Sequence, residues 1–434
     1  MFGGVKRSES RMLPGRSDII PRMRIRQMAG LLTLALAAAL VVCPASGAEP
    51  SFKEETFHGR HAYVLETDQV RVSALRGAGH WAEIRLKSDD PKKSVNPMRI
   101  PHFPTIEPWE YDGAKHDKIY GGGTNRWLQS GYMGHLLNFP TFGGPSEKEA
   151  QSGLGNHGEA LVVEWKKDAA ITSADAVQLV YSAYLPRTQY NVGRTLTLID
   201  GETVMYVEEW VENLLAFGRP AHWVQHATFG PPFVEPGKNV LDASATRGEV
   251  RSPTSPNRML ARGSIDWPWG TSPEGRRVSL REMQDRPKSG IYYAMLMDPG
   301  RERNYFTMFH KDYNVLIGYL WHTKDFPWLG DWQENQGNGG LPWNHQVVAR
   351  GMEFGTTPFG GPMENVVGEG KLYGVPLYRW IDGREKATVR YVVFLAEIPD
   401  GYEGVQDVET KAGKIVITER RTGRSIVLDS SREW

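Results

Sequence analysis

The sequence predicts an all-β protein, a large antiparallel sandwich with few short helices. Three observations carry that expectation. Apolar and polar residues alternate with period two, most clearly over 194–213. There, Arg194–Ile199 and Glu202–Val211 are joined by Asp200-Gly201, a hairpin signal because a type I′ turn needs positive φ. Helical periodicity is confined to 278–285 and a short stretch near 146–151.

The remaining strand candidates follow in chain order. Residues 61–66, 70–75, 81–87, 160–166, 177–184, 291–297, 304–310, 315–321, 387–396, 414–418 and 425–428 are short β-rich runs. Loops rich in Gly, Pro, Asn and Asp separate them, and the chain has 47 Gly and 28 Pro. Such spacing reads as a sandwich. No fixed-period repeat argues for a propeller or solenoid, and no Pro- or Ser-rich linker divides the chain. Residues 49–434 are therefore expected to form one domain. Glycine clusters at 121–123, 143–144, 337–340 and 360–361 fall between strands, where loops on a rigid sheet commonly build a site.

Composition excludes several classes. The 434 residues carry 51 basic and 51 acidic side chains and are 11% aromatic, with 14 Trp. That is too apolar for a disordered chain. Without a basic block, a nucleic-acid partner is not expected. One cysteine excludes a disulfide scaffold and a Cys-based zinc site.

The first segment reads as an address. Residues 29–43 are an uncharged apolar run, preceded by Arg22, Arg24 and Arg26 and followed by Ser46-Gly47-Ala48. This is the layout of a secretory signal peptide. The run is short for a membrane span, which needs ~20 residues; an uncleaved anchor is the alternative. Met23 stands as an alternative start, which would make 1–22 an artefact. Removal of 1–48 takes away seven basic and two acidic residues and Cys43, leaving a net charge of −5. The expected location is the periplasm or outside the cell, with no membrane contact after cleavage.

Ionisable residues at strand–loop joins are the candidates for chemistry. His157 lies in Gly155-Asn156-His157-Gly158-Glu159, His226 in Gln225-His226-Ala227-Thr228-Phe229-Gly230, and Glu353 in Arg350-Gly351-Met352-Glu353. An imidazole paired with a carboxylate is the usual kit for moving a proton near neutral pH. Each also has a structural reading, Glu353 as a partner of Arg350 among them. A metal held by His222 and His226 is discounted, because residues four apart on a strand are ~13 Å apart.

The order of these elements resembles the aldose 1-epimerase, or galactose mutarotase-like, superfamily. The resembling features are His157-Gly158 before Trp165, the Asp200-Gly201 hairpin ending in Val211-Glu212-Asn213, and Pro220 before His226. Trp321, then Phe326-Pro327-Trp328-Leu329, then Gly351-Met352-Glu353 complete the order. The likeness spans roughly 60–396 and is strongest over 191–233. The sequence departs from the family at Phe229-Gly230-Pro231, at Ala160-Leu161 and at Met98-Arg99-Ile100-Pro101.

The resemblance implies a β-supersandwich with an open cleft that interconverts sugar anomers without metal or cofactor. It makes Glu353 the base, His226 the acid, and His157 a hydrogen-bond partner near the ring oxygen or the reacting hydroxyl. Glu334, in Trp332-Gln333-Glu334, is a second candidate base. Arg99, His102, Asp331, Trp332 and Glu334 are candidates for sugar binding, with Trp109 and Trp343 as possible platforms. No Gly-rich loop precedes a helix, so a neutral aldose or an oligosaccharide reducing end is favoured over a phosphosugar. Two alternatives stay open: a carbohydrate-binding protein without catalysis, and a polysaccharide lyase or glycoside hydrolase on a similar sandwich. A hydrolase would use two flanking carboxylates, for which Glu334 or Asp331 with Glu353 could serve.

Overall fold

Alternating burial along the strands splits the side chains between a shared interior and two outer faces. A computed structural model describes residues 49–251 and 257–434; the leader-like segment and its cysteine lie outside them. Among the described residues, thirteen antiparallel strands form one sheet and eight form a second. At the centre of the first sheet, His135–Asn138, Val224–Phe229, Val348–Gly355, Trp328–Asn335 and Ser289–Met297 lie side by side. The second sheet contains the long hairpin Tyr190–Ile199 and Val204–Asn213, paired to Lys386–Glu397.

The main core lies between these sheets. Leu137, Phe139, Ala227, Met352 and Phe354 of the first meet Leu196, Val207, Phe306, Tyr319 and Tyr391 of the second. A polar cluster is buried among them. Arg194 and Glu209 form an ion pair with both side chains fully buried. Glu209 also accepts from Trp223 and Gln225, and Gln225 Oε1 accepts from Tyr391 at 3.0 Å. Gln225, Ala227 and Phe229 thus face the interior. The period of two turns Val224, His226 and Thr228 to the opposite side of the sheet.

A third sheet, Val405–Lys411, Lys414–Glu419 and Ser425–Asp429, covers part of the outer face of the eight-stranded sheet. Val405, Val408, Ile415 and Ile417 pack on Tyr206, Leu316, Leu320, Val392 and Phe394. Buried Asp242 pins this sheet: it accepts from Val405 N–H at 2.7 Å and pairs with Arg281 and Arg420.

Four expectations fail locally. Helices are not confined to the two expected stretches: Gly113–Tyr120, Arg126–Gly131 and Met363–Glu369 are also helical, the second just after Gly121-Gly122-Gly123. Residues 278–285 are not a helix. Arg277–Ser279 pairs with Trp269–Thr271, and the carbonyls of Leu280 and Arg281 accept from the Arg350 guanidinium at 2.7 and 2.9 Å. Tertiary partners thus claim acceptors that a helix would use internally. Residues 160–166 are not a strand. A short 3-10 turn at Ala160–Val162 bends the chain so that Trp165 Nε1 donates back to Ala160 O at 2.9 Å. The hairpin exists, but only Gly201 of its turn has positive φ, and Glu202 N–H bonds Ile199 O. The turn is therefore not type I′, which needs two such residues. The helix near 146–151 is present as Glu147–Gln151, capped by Ser146.

Buried neutral histidines give the fold a pH dependence. Burial pushes His80 and His135 well below the usual imidazole value and His222 down to about 4. Below about pH 6.5 the unfolded chain binds protons that the native state refuses, so stability falls as pH drops and the loss completes near the folded values. For His222 alone the loss is about 3 kcal/mol. The urea midpoint should fall between pH 7 and pH 4.5, and His222→Asn should flatten that slope.

Candidate active site

A cleft of about 820 Å³ opens on the face of the large sheet turned away from the core, lined by His157, His226, Glu353, Glu334, Trp332 and Tyr132 among others. Its floor follows from strand register. His226 sits directly opposite Glu353, and Trp332 opposite Gly351. Adjacent strands therefore bring together three side chains well separated in sequence.

His226 Nε2 lies 2.9 Å from Glu353 Oε1, both residues nearly buried. Gly351 makes room for this pair: a Cβ there would stand 2.7 Å from His226 Cε1 and 3.1 Å from Trp332. His226 Nδ1 lies 2.8 Å from Thr228 Oγ1, which lies 2.5 Å from the Tyr132 hydroxyl.

His157 reaches the same floor from a tight loop, its ring 5.8 Å from that of His226. Burial, and then the charge of His226, hold its pKa down to about 3. Its Nδ1 accepts from Gly143 N–H at 3.2 Å, which leaves Nε2–H as its donor. The loop depends on Gly158, at φ +89°, where a Cβ would stand 2.5 Å from Phe139 O. Gly158→Ala should cost about 1–3 kcal/mol and displace His157. Gly144→Ala, with open space at its Cβ, is the neutral control in a thermal melt.

Tyr132, Trp332 and Trp343 form one aromatic wall, with ring centroids 5.7–6.4 Å apart. Phe142, Tyr292 and Phe359 form another part of the lining. Such faces suit the C–H surfaces of a sugar ring. Arg251, the only Lys or Arg lining the cleft among the described residues, already pairs with Glu249 and Glu369.

Four of the other expected sugar contacts, Asp331, Arg99, His102 and Trp109, lie outside the cleft lining. Asp331 is turned into the core, because period two sends it opposite to Trp332. There it pairs with Arg350 at 2.6 Å and accepts from Tyr293. Arg350 is thereby committed to Asp331 rather than Glu353. Arg99 is buried behind the aromatic wall, donates to Tyr132 O at 2.8 Å and stacks over Tyr132 and Trp343; burial lowers its pKa to about 10. His102 is exposed and outside the cleft lining. Trp109 is 48% exposed and lines a separate groove with Tyr184 and Trp210. Glu334 does line the cleft, but its carboxylate caps the Gly337–Gly340 loop by accepting from Gly337 and Asn338 N–H. Burial raises its pKa.

Sequence reasoning missed Tyr132, Tyr292 and Thr228. Thr228 carried a signal, since His226-Ala227-Thr228 on a strand puts both polar side chains on one face. Tyr132 and Tyr292 carried none. Among the described residues, no cluster of three or more His, Cys, Asp or Glu has the arrangement to hold a metal.

No protein-family profile matches the chain, and no curated protein matches it. Solved structures do. A candidate aldose 1-epimerase from Klebsiella pneumoniae superposes with a TM-score of 0.56 at 12% identity, over 80% of this chain and 83% of that one. A Synechocystis protein gives 0.51 at 15% identity, over 80% and 98%. A TPR-domain containing protein from Parabacteroides distasonis gives 0.51 at 10% identity, over 86% of this chain but 52% of that one. These likenesses show the fold: mostly β, with large antiparallel sheets in a galactose mutarotase-like arrangement.

Proposed function

We propose that this chain interconverts the α and β anomers of a neutral aldose, or of an oligosaccharide reducing end, by acid–base ring opening. The observation that carries the reading is the His226–Glu353 contact of 2.9 Å at the floor of an aromatic-walled cleft. Glu353 removes the proton of the C1 hydroxyl while His226 gives its Nε2 proton to the ring oxygen. The bond from C1 to the ring oxygen breaks, its electrons pass to that oxygen, and C1 becomes an aldehyde. Rotation about C1–C2 presents the other face, and the same two groups return their protons in reverse as the ring closes.

His157 is a binding group in this scheme. Its depressed pKa keeps it neutral at pH 7, so it donates a hydrogen bond without releasing a proton. Glu353 is preferred to Glu334 as base because Glu334 is held by two backbone N–H groups and Glu353 Oε2 is unpartnered among the described residues. A neutral sugar fits because Arg251 is already paired. The leader-like sequence supports a place in the periplasm or outside the cell. The test is the optical rotation of freshly dissolved α-glucose and α-galactose with purified protein. Drift to equilibrium faster than buffer supports the reading; a rate equal to buffer with every simple aldose and with reducing oligosaccharides overturns it.

A further inference from the structure

We infer that Thr228, backed by Tyr132, is a positioning residue that keeps His226 Nε2 turned toward Glu353 through the whole proton cycle. The inference rests on the assignment of His226 as proton donor, but its geometry stands separately. Three buried groups form a line: Tyr132 hydroxyl, Thr228 hydroxyl at 2.5 Å, then His226 Nδ1 at 2.8 Å. His226 Nε2 faces Glu353 at the far side of the ring.

An imidazole that gives and regains its Nε2 proton keeps the same need at its rear nitrogen. With both nitrogens protonated, Nδ1–H requires an acceptor. In the neutral form left once Nε2 has given its proton to the ring oxygen, Nδ1 keeps its own and still requires one. The Thr228 hydroxyl oxygen serves both states by accepting from Nδ1–H. The Tyr132 hydroxyl completes the arrangement by accepting from Thr228, which leaves the Thr228 oxygen turned to His226. Burial raises the Tyr132 phenol further above its usual value, so it remains a hydroxyl across the working pH range. The ring therefore has no reason to flip between the two halves of a reversible reaction. Only the Nε2 proton is exchanged with substrate.

Thr228 shares the protonated state more strongly than the neutral one, because a hydrogen bond to a charged donor is stronger than a neutral bond. Its loss should lower the titration midpoint of His226 by about one pH unit. Other titratable groups bearing on His226 are Glu353, His157 and Tyr132 around the ring and buried His80 and His135 more deeply. Thr228→Val changes none of their charges, so their effects cancel in the comparison.

The test is a ¹⁵N-histidine NMR titration of the full chain, with the His226 resonance identified by its loss in His226→Asn. In wild type, Nδ1 should show a hydrogen-bonded resonance on both sides of the transition. Thr228→Val should lose that signature and lower the midpoint by about one unit; Thr228→Ser should restore both. If Thr228→Val fails to fold, Thr228→Ala removes the same hydroxyl with less bulk. In the mutarotation assay, Thr228→Val should lower kcat about 10- to 100-fold with KM within twofold, and the alkaline limb should move down with the midpoint. A Val variant with wild-type titration and Nδ1 resonance overturns the inference. If wild type shows no mutarotation, the proposed function fails, and the NMR titration still decides the role of Thr228.

Discussion

Glu353→Gln and His226→Asn should each slow mutarotation by about 10²–10⁴, the contribution of one positioned proton transfer. The double variant should be little slower than the worse single one, because each group is useful only when the other completes the transfer. Structure argues that the losses will be catalytic. Gln is isosteric with Glu353 and keeps an oxygen for His226. It also removes a nearly buried charge whose second oxygen has no partner among the described residues. The melting temperature of Glu353→Gln should therefore stay at or slightly above wild type, as expected where a site is kept charged for function at a cost in stability. Wild-type activity in Glu353→Gln with a dead Glu334→Gln would move the base to Glu334. Activity in both would remove carboxylate catalysis from this cleft.

Asp331→Asn and Arg350→Met should each destabilise the protein by about 3–5 kcal/mol, the cost of leaving one partner of a buried ion pair uncompensated. Both side chains are fully buried, and Arg350 also holds the carbonyls of Leu280 and Arg281. Arg350→Met with Asp331→Leu should recover part of the loss, since an apolar pair needs no charge compensation. Urea unfolding measures the effect. The same variants decide whether Asp331 touches sugar. KM should be unchanged at a temperature where Asp331→Asn remains folded. A raised KM with wild-type stability would return Asp331 to the binding site.

The strands were legible because burial on one face imposes period two, and that pattern survives in Arg194–Ile199 and Lys386–Glu397. Register was not legible. Nothing in the chain says that His226 pairs with Glu353, 127 positions further on, and only the resemblance put them together. Three of the four glycine clusters do contribute residues to the cleft: Gly143, Gly337 and Gly339, and Gly360. Asp331 and Glu334 illustrate the opposite case. They sit three apart on one strand, so they must face opposite sides; treating both as sugar contacts overlooked that parity. Residues 278–285 show how tertiary partners override a local pattern: Leu280 and Met283 have helical spacing and are buried, yet Arg350 takes carbonyls that a helix would need.

The sheet formed by residues 405–429 bears on the order of folding. Until those residues dock, Tyr206, Leu316, Leu320, Val392 and Phe394 form a contiguous apolar surface without its cover, the kind of patch that drives unwanted association. A chain truncated before residue 405 would thus keep all of its cleft strands and present a sticky outer face. Docking of the last sheet, rather than assembly of the cleft, is the step that closes this surface.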